Sequence, residues 1–425
     1  MIWQKRIAVW DLVAALANTM DLATPSAARR HEQICYVALR LGREMGLDEA
    51  RLRNLVLAAA LLDAGALCSP DKLQRIEPAA AGLSAHAYAG CRFLRTLRYF
   101  RVAAEAVRFH HLPWRHGAGQ EFRGELVPPE AHLLQLADRT VQLAAETPDL
   151  LVDRGRLLER LRQAAGETFV PEMVDALCRL AKPEAFWLDL TTGSPQLLLR
   201  DSLDLGSIPL PDDAMLDMSG LFARIVDFRS PFWATHTAGV AKAATLLAGR
   251  AGMCEDECRM VTVAANLHDV GGVGVAPALL EKRQPLSPQD EARLKAHVYH
   301  TYRCLQPIDG LGPARDWASF HHERLDGTGY PFGLHARSLP LGARILAVAD
   351  TYTACTEDRP YRAAMGRQEV LKALNQNAAD AALDGDLVAL LTRNIESIDG
   401  ERLLAQQAAR CEYDGFFGAC QAQLS

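Results

Sequence analysis

An all-α chain of two helical blocks is what this sequence predicts, and three observations carry the prediction. Long stretches rich in Ala, Leu and Arg repeat apolar residues at helical spacing, as in the run from Ala28 to Leu62. Alternating, strand-like patterns are scarce, and the stop signals are helical: Gly46 after LGREM and Gly252 after LLAGRA each precede a short acidic turn and a new run. At 425 residues the chain is about twice an ordinary domain, and with 49% hydrophobic and 23% charged residues it can bury a core in each block.

Taken in order, the N-terminal segment MIWQKRIAVWDLVAALANTM places Lys5 and Arg6 before an apolar stretch. Asp11 interrupts that stretch and no small-residue cleavage site follows, so it reads as a first amphipathic helix. Gly, Pro, Ser and Asp gather in TTGSPQLLLRDSLDLGSIPLPDD, which reads as a linker. The domains expected are therefore 1–190, a linker at 191–213, a second helical domain at 214–383 and a helical tail at 384–425. In the tail, ESIDGERLLAQQAAR is amphipathic enough to pack on the second domain, and no chemistry is assigned to it.

A formal charge of −6 argues against long nucleic acid as the main partner, while leaving room for a local basic pocket. Ten cysteines without a CxxC pair or a regular framework fit reduced thiols, and so the cytoplasm. No run of about 18 uncharged apolar residues is present that would cross a membrane. A symmetric homodimer is the base-rate expectation for assembly.

The second block carries polar residues among apolar helical neighbours. They are His236 in RSPFWATHTAGVAKAA, His268 and Asp269 in ANLHDVGGVGV, His297 in RLKAHVYHTYRCL, His321 and His322 in ASFHHERLDGTGYP, and Asp350 in ILAVADTYTAC. Any one of these alone reads as a satisfied core histidine or a buried cap. Five histidines and two aspartates together point to metal, because imidazole and carboxylate are natural ligands for a pair of first-row divalent ions that an Asp can bridge.

HDVGGVGV, HHERLDGTGYPFGL, ILAVADTYTA and DRPYR follow one another in the order and spacing of the HD-GYP family of the HD superfamily, which this segment resembles over about 160 residues. The resemblance implies a metal-dependent phosphodiesterase for cyclic dinucleotides. It implies one ion on His236, His268, Asp269 and Asp350, and a second on Asp269, His297, His321 and His322. Water held between two cations is deprotonated near neutral pH and attacks phosphorus in line, with His268 and Asp269 at the catalytic centre. Cyclic di-GMP, opened to pGpG and onward to GMP, is the leading substrate on this resemblance. 3'3'-cyclic GMP-AMP is the alternative, and a catalytically weak receptor or a mononucleotide phosphohydrolase are readings of other kinds.

The GYP loop with Gly329, Tyr330 and Pro331 has the composition of a tight turn, with Gly329 expected at positive φ and Pro331 fixing the exit. The resemblance gives it a role in shaping the substrate pocket. Arg359 and Arg362 in DRPYR present paired donors suited to phosphate, although Arg359 can equally pair with Asp358 or Glu357. Two departures from the family stand out. Gly272 takes the place of a Lys that many members carry, and Lys295 reads as a solvated residue that does not replace it. Phe232 stands where members with a third ion have a Glu, so two ions are expected, and the His-rich set suggests iron or manganese more than magnesium.

The first block repeats the order with His31, Asp63, His86, His110, His111 and Asp138. The 24 residues from His86 to His110 recur from His297 to His321, which reads as a duplication. Leu62 replaces the His of the HD pair, and HLPWRHGAGQEF stands where a GYP loop belongs. A second catalytic site is not expected there; metal binding and mutual satisfaction of leftover polar groups stay equally open, with a regulatory or dimerising role preferred. A degenerate HD copy ahead of an HD-GYP domain is an arrangement the family resemblance includes, and EAFWLDL at Glu184 to Leu190 looks like it.

Overall fold

The computed structural model describes residues 7–23, 29–68, 84–191, 203, 212–308 and 310–424; the linker expected at 191–213 lies almost wholly outside them. The chain divides into two compact units. One comprises Ala8–Ala66, Pro70–Pro209 and Ala419–Ser425, and the other Met1–Ile7, Leu67–Ser69 and Leu210–Gly418. The second unit thus includes most of the tail that the sequence sets apart.

In the first unit the helices are α1 (Val9–Asp21), α2 (Arg30–Glu44), α3 (Glu49–Leu61), α4 (Ala85–Arg95), α5 (Arg101–Phe109), α6 (Pro129–Ala145), α7 (Leu150–Gln163), α8 (Pro171–Leu180) and α9 (Glu184–Thr191). A two-stranded hairpin, Glu121–Phe122 against Glu125–Leu126, is the one sheet among the described residues. In the second unit they are α10 (Asp212–Asp227), α11 (His236–Arg250), α12 (Glu255–Leu267), α13 (Pro277–Leu280), α14 (Pro288–Leu305), α15 (Pro313–Ser319), α16 (Leu341–Cys355), α17 (Arg367–Ala379), α18 (Gly385–Arg393) and, as far as Gly418, α19 (Ile395–Leu424).

Local chemistry sets these boundaries. Gly46 and Gly252 follow α2 and α11 with φ of 76° and 88°, a left-handed turn that a side chain would strain. Ser287 opens α14 with a capping box: its hydroxyl accepts from the Asp290 amide, and the Asp290 carboxylate accepts from the Ser287 amide. Glu255, Asp256 and Glu257 fill the first turn of α12, where the helix dipole favours negative charge.

The same packing scheme appears in both units. In the first, α2 packs on α3 and α6, and α5 packs on α3, α4 and α6; in the second, α11 packs on α12 and α16, and α15 packs on α12, α14 and α16. Leu55, Val56 and Leu134 are buried in one core, and Leu247, Val261 and Leu346 in the other. Each such side chain contributes about 1.5–3 kcal/mol of burial. The close helix approaches match as well. A Cβ on Gly271 would collide with the backbone of α14 at His297 and Thr301, and one on Gly65 with the backbone of α4 at His86 and Gly90.

Candidate metal centre

The packing of the second unit brings its histidines together at helix ends. His236 is the first residue of α11, His268 caps the C-terminus of α12 with Asp269 next, and His321 and His322 follow closely on α15. His297 and Asp350 come from within α14 and α16. Except for the half-buried His322, all seven predicted ligands are buried.

Asp269 lies at the middle. Its Oδ1 is 3.1 Å from Nε2 of His297 and 3.8 Å from Nε2 of His321, while its Oδ2 is 3.3 Å from Nε2 of His268 and 3.9 Å from Nε2 of His236. Asp350 lies 3.1 Å from Nε2 of His236 by one oxygen and 3.9 Å from Nδ1 of His322 by the other. The geometry yields overlapping groups, His297 with His321 and His322, His236 with His268 and Asp350, and His268 with Asp269 and His321.

Three of the rings are mounted alike. Nδ1 of His268 donates to the Ala265 carbonyl at 2.7 Å, that of His297 to Leu294 at 2.5 Å, and that of His321 to Ala318 at 2.7 Å. Each ring is thereby turned to present Nε2, and none of these three buried Nε2 atoms has a hydrogen-bond partner. A buried donor or acceptor left without a partner costs about 1–3 kcal/mol, so three converging on one carboxylate fit a cation between them. Divalent metal ions therefore fit this donor set.

Burial pushes His322 down to about 4, and burial with the neighbouring His322 holds His321 well below the ordinary imidazole range. Burial opposes ionisation of Asp269, but the positive charge of neighbouring His268, itself raised by this carboxylate, and of His297 outweighs it and holds the carboxyl well below its ordinary range. Metal ligation requires neutral imidazoles beside an ionised carboxylate, so His321 and His322 are in the ligating state, whereas His236 and His268, raised by their carboxylate neighbours, would release protons to an arriving ion.

A pocket of about 260 Å³ opens onto this cluster, with Tyr330, Arg359, Tyr361 and Arg362 in its wall. Tyr330 stacks on His322, ring centroids 5.0 Å apart, and the Lys295 ammonium lies 5.4 Å from the Tyr330 ring centre. Lys295 is solvent-exposed, as the sequence suggests, yet stands at the pocket edge. Gly329 departs from expectation: positive φ occurs at Gly327 and Gly333 instead, and Gly329 is required because a Cβ there would lie 2.5 Å from Cα of Glu323. The peptide between Tyr330 and Pro331 is cis. Arg359 pairs with Glu357 at 3.0 Å, and Arg362 donates to the carbonyls of Ala354, Cys355 and Ala363.

Several residues at the site escaped the sequence reading. Glu357 is buried and accepts from Nδ1 of His236 at 2.9 Å and from Gln406 of α19 at 2.5 Å. Burial lowers the His236 imidazolium, but the Glu357 charge and the hydrogen bonds of Asp350 and Glu357 raise it to about 10. Glu323 accepts from the amides of Phe332 at 2.7 Å and Leu334 at 2.9 Å, fastening the GYP loop. Trp233 lines the pocket and explains Gly272, where a Cβ would approach its ring to 2.7 Å. Tyr361 projects between Arg359 and Arg362, whose backbones exchange hydrogen bonds, and is 57% exposed at the pocket rim.

In the first unit, His86, His110 and His111 cluster, with Nε2 of His86 and of His111 3.0 Å apart. Asp63 and Asp138 are bridged by the guanidinium of Arg30. His31 lies 2.5 Å from Asp21 and 3.5 Å from Asp63.

The comparisons with known proteins agree with this duplicated architecture. Family models described as HD domain match residues 220–387 and 33–142. From Vibrio cholerae serotype O1, the 3'3'-cGAMP-specific phosphodiesterase 3 is 25% identical, over 92% of this chain and 95% of that protein. The 3'3'-cGAMP-specific phosphodiesterase 1 of the same organism is also 25% identical, over 89% of this chain and 90% of that protein. The cyclic di-GMP phosphodiesterase response regulator RpfG of Xanthomonas campestris pv. campestris is 34% identical over 33% of this chain and 38% of that protein. A crystal structure of the cyclic GMP-AMP specific phosphodiesterase V-cGAP3 of V. cholerae shares the fold, with a TM-score of 0.67 at 21% identity over 92% of this chain and 98% of that one. No helix among the described residues is long and apolar enough to cross a membrane, and no disulfide links the ten cysteines. The chain carries two HD domains in tandem, with homology to the HD-GYP-type cyclic dinucleotide phosphodiesterases.

Proposed function

We propose that the second unit hydrolyses a cyclic dinucleotide with two divalent ions, and that 3'3'-cyclic GMP-AMP is its preferred substrate. The observation that carries the reading is the convergence of three partnerless Nε2 atoms on the Asp269 carboxylate. The substrate order drawn from the family resemblance is reversed here. Two relatives named for cyclic GMP-AMP align along about nine-tenths of this chain, whereas the relative RpfG, named for cyclic di-GMP, aligns along a third, as does another relative named for cyclic GMP-AMP.

His236, His268, Asp269 and Asp350 would hold one ion, and Asp269, His297, His321 and His322 the other, with Asp269 giving one oxygen to each side. Bound there, such ions supply Lewis-acid activation of water and neutralise phosphate charge. Five imidazoles with two carboxylates favour iron or manganese over magnesium. Within the chain, Glu357 orients His236, and Glu323 holds the GYP loop so that Tyr330 covers His322. Arg359 faces the phosphate, while Arg362, its donors engaged with carbonyls, fixes the DRPYR turn that carries Tyr361. Tyr361 offers an exposed ring for a base to stack on.

Anaerobically purified protein of known metal content, incubated separately with cyclic GMP-AMP and cyclic di-GMP, tests this. Linear product from cyclic GMP-AMP in preference, absent with the His268→Ala, Asp269→Ala variant, is expected. Two bound ions with binding but no turnover of either dinucleotide would make the domain a receptor.

A further inference from the structure

We propose that the first unit binds a single divalent transition-metal ion on His86, His110, His111 and Asp63, and that Arg30 takes the place of the second ion. The two halves of the cradle have had different fates. On the side matching His297, His321 and His322, all three histidines persist as His86, His110 and His111, within 4.8 Å of one another by their ligand atoms. His110 is mounted like His321: its Nδ1 donates to the Val107 carbonyl at 2.6 Å, and its fully buried Nε2 has no hydrogen-bond partner. Nε2 of His86 and of His111 stand 3.0 Å apart, close to the roughly 3 Å between neighbouring nitrogens that share an ion at ~2.0–2.1 Å.

Asp63 divides its oxygens as Asp269 does. Oδ1 faces the triad, 3.9 Å from Nε2 of His86, while Oδ2 turns to the other side, 3.5 Å from Nε2 of His31. There the cradle is closed. Leu62 removes one ligand, and the Arg30 guanidinium reaches Oδ2 of Asp63 at 2.5 Å and also holds Asp138. One fixed positive charge thus satisfies Asp63 and Asp138, the counterparts of Asp269 and Asp350 in the other unit. A cavity of about 440 Å³ reaches His111 and Asp138, giving an ion a way in.

Imidazole-rich sites suit Co2+ as a spectroscopic probe. The full chain carrying His268→Ala, Asp269→Ala, His297→Ala and His321→Ala, which removes the matching triad of the second unit as well, freed of metal and loaded with Co2+, should retain one equivalent by elemental analysis, with a visible absorption band from nitrogen ligation. Adding His111→Gln, a half-buried position, should abolish both while circular dichroism stays unchanged. If this background keeps its fold but holds no Co2+, or if the ion survives His111→Gln and His86→Gln alike, the proposal is overturned. Arg30→Ala in the same background should not diminish the retained equivalent; its loss would mean that Arg30 supports the ion instead of replacing another.

Discussion

Glu357 sets the orientation of His236, accepting from its Nδ1 at 2.9 Å from a loop 121 residues away in sequence. Carboxylates in this position fix the ring and raise its basicity as a ligand. Glu357→Gln should therefore weaken metal binding about 10–100-fold, read by titration against a chelator. Unchanged affinity would reduce Glu357 to a partner of Arg359.

Removing metal should cost stability as well as activity. Asp269 and Asp350 are buried among the histidines, and an ion bound there only in the folded state adds its binding free energy to stability. Refilling with Mn2+ at about 100 times Kd should restore roughly 2.7 kcal/mol, seen as a rise in melting temperature. An identical melt before and after refilling would contradict the assignment of these residues as ligands.

Gly272 and Trp233 form a coupled pair. Gly272→Ala pushes a carbon to 2.7 Å from the indole and should destabilise by about 1–3 kcal/mol. Trp233→Leu in the same chain should recover most of that loss, a coupling that a double-mutant cycle measures directly. If the two changes simply add, the missing family lysine has another explanation.

Tyr361→Ala should leave the fold intact, since the ring is mostly in solvent, but should raise KM for the dinucleotide. Stacking is worth about 1–3 kcal/mol per base, roughly 5–150-fold, and kcat should change little. Equal loss in kcat would instead place Tyr361 in the reacting geometry.

The helical fold and the clustering of these histidines and aspartates were legible because both leave one-dimensional traces: apolar periodicity, glycine stops, and polar residues set among alanine and leucine. Glu357 left no such trace, since in TEDRPYR it reads as one of two solvent acids and its burial is decided by Gln406 and His236. Trp233 and Gly272 lie 39 residues apart, so their contact is invisible until α10 and α12 are packed. Gly329 was singled out for the wrong property: crowding against Glu323 requires it, while Gly327 and Gly333 make the turns. Arg30 passed unnoticed beside His31 because nothing in the sequence marks a cation that bridges carboxylates 33 and 108 residues away.

In His110, His268, His297 and His321, the bond from Nδ1 to the carbonyl three residues before makes the ring and its mount a single short stretch of chain. Such a stretch is inherited whole when a gene segment is copied. A ring held this way does not have to surrender its rotamer freedom when an ion arrives, a saving of about 0.5–1.5 kcal/mol per side chain. Substitutions elsewhere can therefore strip one copy of its chemistry while its rings keep their aim. A silent half of this kind remains a short mutational distance from a working one, so long as the three-residue mounts survive.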